Sequence, residues 1–414
     1  MTAASPLRVN IVLPPLHSER FSGGTLCILE HAHQLHRRGH TVTVVPTRPS
    51  QYPAWFGKEF GTLLHWPQTS AASALKSLAC TTVKWGLNRT EGGKEAIRQD
   101  FVGLVRSLPQ LWTPEFEQAV QHHMLRRLIP DADITIATQY STALPVYLFG
   151  RGKLGYFLQH HEVIFANDTP DPEQTFKIAD MSYRLGMRMM ANSPWLRERV
   201  RTTTAGAPDV LLSPNAIDPS IFNGQPKPLA GPGDRHVTLI SYGGRHVEWK
   251  GFREMAEATA IARRELPDYK IDWHVYGGAS LPPDNAIAPY KDLGFLQPRA
   301  LADAYRAADI LLSASWYESF PLFPAEAMAC GLPVVTTQPG TEQYAIPDVT
   351  AEVVEARSPR SVADGLIRLI RDPAHRQRIA TAGWEMSKGL TWDAAGDAME
   401  ANIRAIVAGD GAPE

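Results

Sequence analysis

The sequence predicts an α/β protein built from two doubly wound, parallel-sheet domains. Three observations carry the prediction. The chain has 414 residues, beyond the roughly 300 at which a single core stops growing. Both halves alternate short apolar strands with helical stretches, the pattern of parallel sheets covered by helices. Between the halves, residues 223–235 are rich in Gly and Pro and read as a linker.

Composition removes several classes of function. The formal net charge is −2 with no long single-sign run, which argues against a nucleic-acid binder. Cys27, Cys80 and Cys330 are isolated in sequence and make no metal-ligand or redox spacing. They suit a reducing compartment. No segment reads as a signal peptide, and no run approaches the roughly 18 apolar residues of a spanning helix. A cytoplasmic location is expected, with surface contact to a membrane left open.

Leu7 to Leu13 reads as the first strand, followed by Ser22-Gly23-Gly24 and a helix with Leu26, Leu29, Ala32 and Leu35 on one face and Gly39 as its stop. Thr41 to Val45 is the next strand, so the segment is a right-handed βαβ unit. Gly23-Gly24 at the helix start either lets backbone approach a phosphate closely or simply makes a tight turn. It is not a G-x-G-x-x-G fingerprint and no acid follows about 20 residues on, which argues against dinucleotide binding.

Residues 50–130 carry Trp55, Trp66, Trp85 and Trp112 among Pro, Ser and Thr, with helical patterns near 92–107 and 114–128. Strands follow at Asp133 to Thr138 and Leu154 to Gln159. The second ends in Gln159-His160-His161-Glu162, polar groups at a strand's carboxyl end, where open α/β sheets bind ligands. Adjacent residues of extended chain point to opposite faces, so His160 and His161 do not make one metal site. Met187 to Asn192 reads as a strand end or buried turn, Ser193-Pro194 cap and start a helix through Val200, and Val210 to Leu212 with the turn Pro214-Asn215-Ala216-Ile217-Asp218 closes the half.

Val237 to Tyr242 opens the second series and runs into Gly243-Gly244-Arg245-His246-Val247-Glu248-Trp249-Lys250-Gly251. A helix over Phe252 to Glu265, strands at Asp272 to Tyr276 and Asp292 to Leu296, a helix over Ala300 to Ala307 and a strand at Ile310 to Leu312 follow. Two helices, over 362–370 and 373–383, precede a last helix that begins after Trp392.

The stretch 313–337 is the most informative. Glu318 and Glu326 stand with seven residues between them, the first on the loop after a strand and the second in the first turn of a helix predicted over Pro324 to Ala329. Free N–H groups and a positive helix end on such a loop suit a phosphate. Two acids beside it have hydroxyl groups to bind, and a nucleotide sugar offers both. Arg245, with its bidentate fork, and Lys250, a point charge, would neutralise a leaving diphosphate.

In this order, Gly23-Gly24, Ala191-Asn192-Ser193, Pro214-Asn215-Ala216-Ile217-Asp218, Gly244-Arg245 with Lys250-Gly251, and Glu318 with Glu326 in Glu-Ala-Met-Ala-Cys-Gly-Leu-Pro-Val-Val resemble the retaining glycosyltransferases of family 4. The resemblance spans nearly the whole chain and is weakest over 50–130. It implies the GT-B fold, two Rossmann-like domains facing a cleft: an acceptor-binding domain over 1–222, a nucleotide-sugar domain over 236–391, and a helix over 392–414 folding back to the first domain. It implies catalytic roles for Arg245, Lys250 and Glu318. Glu318 would contact sugar hydroxyls and Glu326 the ribose, while backbone around Phe320, Leu322 and Phe323 would hold phosphate or sugar oxygens. Gly23 and Gly24 would face the diphosphate, and one of Gln159, His160 and His161 the sugar.

Two departures from the family pattern stand out. Pro321 occupies a position where the family has Gly, removing one N–H donor, and the family's single histidine is replaced by Gln159-His160-His161-Glu162. Tyr156-Phe157-Leu158-Gln159 with Glu162 and Phe165 resembles bacterial rhamnosyltransferases of surface glycan synthesis, implying a deoxythymidine-linked deoxyhexose; UDP- and GDP-linked donors also fit. The implied reaction transfers the sugar with retention to a saccharide, lipid-linked or small-molecule hydroxyl. No Asp-x-Asp motif stands in the expected place, so neither a metal nor a separate cofactor is expected. A nucleotide-sugar epimerase or phosphorylase, or a non-catalytic sugar-nucleotide-binding partner, would use many of the same residues.

Overall fold

The computed structural model describes residues 5–19, 22–66, 125–169, 171–205, 209–229, 231, 233–244, 247–277 and 287–409. Arg245, Trp85, Trp112, the expected helix at 92–107 and most of that at 114–128 lie outside them. The chain divides into two compact units, the first of residues 1–192, 196–214 and 395–414, the second of residues 193–195 and 215–394.

The first unit contains β1 (Arg8–Leu13), α1 (Gly23–Arg37), β2 (Thr41–Pro46), β3 (Thr62–Leu63), β4 (Ile134–Ala137), α2 (Tyr140–Phe149), β5 (Lys153–Leu158), α3 (Pro172–Ser182), β6 (Arg188–Ala191), α4 (Pro194–Thr203), of which Pro194 and Trp195 are assigned to the second unit, and β7 (Leu211–Leu212). Its sheet runs β3-β2-β1-β4-β5-β6-β7, all parallel. Val9, Ile11, Val12 and Leu13 are all buried, because a central parallel strand is covered on both faces. Leu29, Ala32 and Leu35 of α1 pack on them. Gly39 takes φ +87 just past the helix and ends it.

The second unit contains β8 (His236–Tyr242), α5 (Phe252–Glu265), β9 (Lys270–Tyr276), β10 (Lys291–Asp292), α6 (Pro298–Ala307), β11 (Ile310–Leu312), α7 (Leu322–Ala329), β12 (Val334–Thr337), β13 (Glu352–Val354), α8 (Pro359–Arg371), α9 (Pro373–Ser387) and the first residues of α10 (Trp392–Ala408). The sheet runs β10-β9-β8-β11-β12-β13, again all parallel. Proline stands at the first position of α6, α8 and α9, where its fixed φ suits a helix start. Lys227, in the stretch read as a linker, is tied to this unit: its Nζ lies 2.8 Å from both the Ala307 carbonyl and Asp309.

From Ala395 onward α10 belongs to the first unit. Met399, Ile403 and Ile406 enter that unit's core, Arg38 pairs with Asp397 at 2.6 Å, and Asn402 donates to the Leu212 carbonyl at 2.7 Å. Among the described residues no helix is long and apolar enough to cross a membrane.

In each sheet the strand order reverses once, between β1 and β4 and between β8 and β11. Open α/β sheets bind ligands outside the carboxyl ends of the strands at such a point. The loops after β1, β4, β8 and β11 are therefore the places to look.

Candidate active site

In the second unit the loops leaving β8 and β11 are locked together through backbone. Gly251 adopts φ +69, and a Cβ there would lie 2.0 Å from the Ala314 carbonyl oxygen. The Trp316 N–H donates to the Trp249 carbonyl at 2.7 Å, and the Trp249 and Tyr317 rings stack at 5.3 Å. Gly244 and Gly277 touch backbone to backbone, so neither has room for a side chain. These contacts require glycine where the sequence shows only a glycine-rich run.

The lock brings Lys250 to Glu318. Its Nζ donates to Glu318 Oε1, and both side chains are largely buried. Ser315 Oγ lies 3.2 Å from the same oxygen. Trp249 stands 4.5 Å from the ammonium, ring centroid to Nζ, with Tyr242 and Phe323 each at 5.9 Å. Tyr242 and Phe323 stack on each other at 5.9 Å. The charge is thus enclosed by one carboxylate, which offsets it, and by three rings, whose low-polarity surroundings make charge interactions stronger than in water.

Glu326 does not sit where the sequence places it. The helix α7 begins at Leu322 with Pro321 as its N-cap, one turn's half earlier than predicted, so Glu326 falls in the second turn. Pro324 had been read as the start because proline favours a first helical position; it is accepted at the third, where its missing N–H is also one of the unpaired donors. Together Pro321 and Pro324 remove two of the four N–H groups that a helix start offers. Leu322 and Phe323 supply the remaining two, while Phe320 is turned into the core against Tyr344 at 5.5 Å.

Glu326 is only 9% exposed, and burial pushes its carboxyl up to about 8. A raised folded-state value means that the neutral acid favours folding: stability is full below the ordinary value of 4.5 and is lost as pH rises through about 8. Glu326→Gln, neutral throughout, is expected to flatten this fall. Thermal melts between pH 5 and 9 check it, since parallel curves for wild type and variant would contradict the assignment.

In the first unit Gly23 and Gly24 are the first two residues of α1, and a Cβ at either meets no described atom within 4 Å. Among the described residues, space therefore remains at that helix start. His161 is tied back: its Nε2 lies 2.9 Å from Thr203 Oγ1 and its ring stacks on Tyr183 at 6.1 Å. Burial lowers its pKa to about 4, leaving it neutral at physiological pH. His160 is half-buried on the turn between β5 and Glu162. Trp66 donates to the Pro46 carbonyl at 2.8 Å from a buried position, so it serves local packing.

Among the described residues one group resembles a metal set, Asp348, Glu352 and His375, with ligand atoms within 4.8 Å of one another. Arg368 stands 2.9 Å from Asp348 and 3.6 Å from Glu352 and already supplies positive charge there.

Residues 237–372 match the family model described as glycosyl transferases group 1. The chain is 28% identical over 272 residues to the O-antigen biosynthesis protein RfbC of Myxococcus xanthus, a match covering 64% of this chain and 20% of that protein. It is 32% identical over 178 residues to the D-inositol 3-phosphate glycosyltransferase of Corynebacterium diphtheriae, covering 40% of this chain and 42% of that one. These matches span less than half the length of either relative.

Solved structures match over the full chain. Sucrose-phosphate synthase from Thermosynechococcus elongatus superposes with a TM-score of 0.66 at 17% identity, covering 97% of this chain and all of that one. HepE of Anabaena, in complex with UDP-glucose, gives 0.64 at 15% identity over 96% of this chain and all of that one. The chain therefore has the GT-B fold, and its residues 237–372 match the group 1 glycosyl transferase model.

Proposed function

We propose that the protein is a retaining glycosyltransferase of glycan biosynthesis that moves a sugar from a nucleoside diphosphate donor to a hydroxyl acceptor without a metal. The observation that carries this reading is the enclosed Lys250–Glu318 pair at the carboxyl-end switch point of the second sheet. The match to the group 1 glycosyl transferase model over the same residues and a UDP-glucose complex of a protein of the same fold support it.

In this reading the glycosidic C–O bond to the diphosphate breaks as the acceptor oxygen attacks the same face, and the acceptor proton passes to a departing phosphate oxygen. Charge develops on that oxygen. Lys250 meets it with a charge already in place, and Arg245 joins it by the resemblance, so catalysis rests on positioning and electrostatics. Glu318 accepts from sugar hydroxyls in this reading, and Glu326 from the ribose. A buried carboxyl pushed up to about 8 gains from such donors, because hydrogen bonds to the ionised form offset its burial. In the first unit, the start of α1 at Gly23-Gly24 suits an anionic group, and one residue of the segment Gln159 to His161 lies near the sugar.

Thermal shift with UDP, GDP, dTDP and ADP, each in EDTA, tests the reading. One nucleoside diphosphate is expected to raise the melting temperature by mass action and its sugar conjugate to be turned over under the same conditions. Stabilisation by none of the four, or turnover abolished by EDTA, contradicts it.

A further inference from the structure

The carboxyl of Glu162 is built into the first unit more thoroughly than any role read from the sequence requires. It opens the turn that follows β5 and is 3% exposed. Its Oε2 accepts from the Tyr156 hydroxyl of β5 at 2.6 Å and from the Tyr140 N–H at the first position of α2 at 2.7 Å. Its own N–H donates to the Tyr183 hydroxyl, just past α3, at 2.8 Å. Tyr183 in turn stacks on His161. At the other end of the segment, Asn192 Nδ2 donates to the Gln159 carbonyl at 3.1 Å.

Two consequences follow from this arrangement. The helix start beside the switch point at β4 is filled by the chain's own acid, so that start offers no site to a ligand. And Gln159 to His161 cross the carboxyl edge of the sheet clamped on both sides.

We propose that Glu162 is a positioning residue of the transfer reaction, holding Gln159 to His161 at the carboxyl edge of the first sheet by bridging β5, α2 and α3. The proposal rests on the reading that this segment meets the sugar. Glu162 touches no reacting group and acts through its neighbours.

The bridge has its own pH signature. Burial is the main cause that pushes the Glu162 carboxyl up to about 8, against the opposing hydrogen bonds from Tyr156 and Tyr140. The other groups facing it are silent between pH 5 and 9: Tyr156 and Tyr183 titrate well above 10, Tyr140 is raised, and His161, which feels Arg199 and Asp180, is held at about 4. The packed arrangement favours the protonated acid, so it is fully stable at low pH and loosens as pH rises through about 8.

The test compares Glu162→Gln with Glu162→Ala in the full chain. Gln keeps an acceptor oxygen for Tyr156 and Tyr140 and cannot ionise. It is expected to retain kcat within about threefold at pH 7 and to lose the fall in kcat above pH 8. Ala is expected to lose about 10²-fold in kcat, the scale of a misplacement of roughly 1 Å, while its nucleoside diphosphate thermal shift stays as in wild type. Ala with normal kcat, or Gln as impaired as Ala with an unchanged pH profile, overturns the proposal. If Ala does not fold, Tyr156→Phe and the Gln variant decide by the same profile. Deuterium uptake by amides 159–161, expected to rise in Tyr156→Phe, needs no substrate: an inactive wild type would refute the transferase reading, and unchanged uptake would refute the clamp.

Discussion

Replacing Lys250 with Ala is expected to slow sugar transfer by about 10²-fold or more, the usual scale for removing one preorganised group from a developing oxyanion. The loss should fall mainly on kcat, because charge on the diphosphate is greatest as the glycosidic bond breaks. The substitution has a second effect that must be separated from the first. Lys250 neutralises Glu318, which is itself largely buried, and removing one partner of such a pair leaves an uncompensated charge at a cost of about 3–5 kcal/mol. The double variant Lys250→Ala with Glu318→Gln removes that uncompensated charge. If it regains thermal stability while its kcat stays well below that of Glu318→Gln alone, the catalytic role of Lys250 stands. If kcat in either variant is close to that of wild type, the assignment fails.

The largest effect on stability is expected at Gly251. Alanine there would meet two penalties at once: a left-handed backbone, φ +69, and a Cβ 2.0 Å from the Ala314 carbonyl oxygen. The backbone alone costs about 1–2 kcal/mol, and the clash must be relieved by moving the loop after β11 away from the one after β8. That loop carries Glu318. Gly251→Ala is therefore expected to lose more than about 2 kcal/mol of stability together with most activity, measured by denaturant unfolding and initial rates. Gly24→Ala is the control: a Cβ there meets no described atom, and stability should stay within about 1 kcal/mol. Equal stability of the two variants would contradict the backbone lock.

Most of the fold was legible because its signals are local. The helix α5 lies where periodicity places it, over Phe252–Glu265, and the strand β11 where a run of apolar residues places it, over Ile310–Leu312. The strands β3 and β13 were not recognised: two and three residues long, they are too short for any periodic signal and owe their existence to pairing with β2 and β12. The helix α2 was hidden for another reason. It holds Pro145 internally and is buried on most of its surface, so it shows neither an amphipathic stripe nor an uninterrupted helical sequence. At the candidate site, Lys250, Glu318 and Glu326 could be singled out from residue type and spacing. The enclosure of Lys250 by Trp249, Tyr242 and Phe323 could not, because those rings come from β8, the loop after it and α7. The clamp at Glu162 was equally invisible, since its partners Tyr140, Tyr156 and Tyr183 share no sequence pattern.

The helix α10 also sets the order in which the protein can be made. The core of the first unit includes Met399, Ile403 and Ile406 beside Val9 and Leu29, contacts that span nearly 400 positions of the chain. During synthesis the second unit, essentially continuous over residues 215–394, has all its segments available earlier. The amino-terminal sheet emerges first yet must wait with an incomplete core, the reverse of the usual sequence in which the first-made domain is the first to be finished. The long loop closed by α10 makes that last step entropically slow, so the apolar surface around Leu29 and Leu35 is the part of the nascent chain with the longest exposure to aggregation.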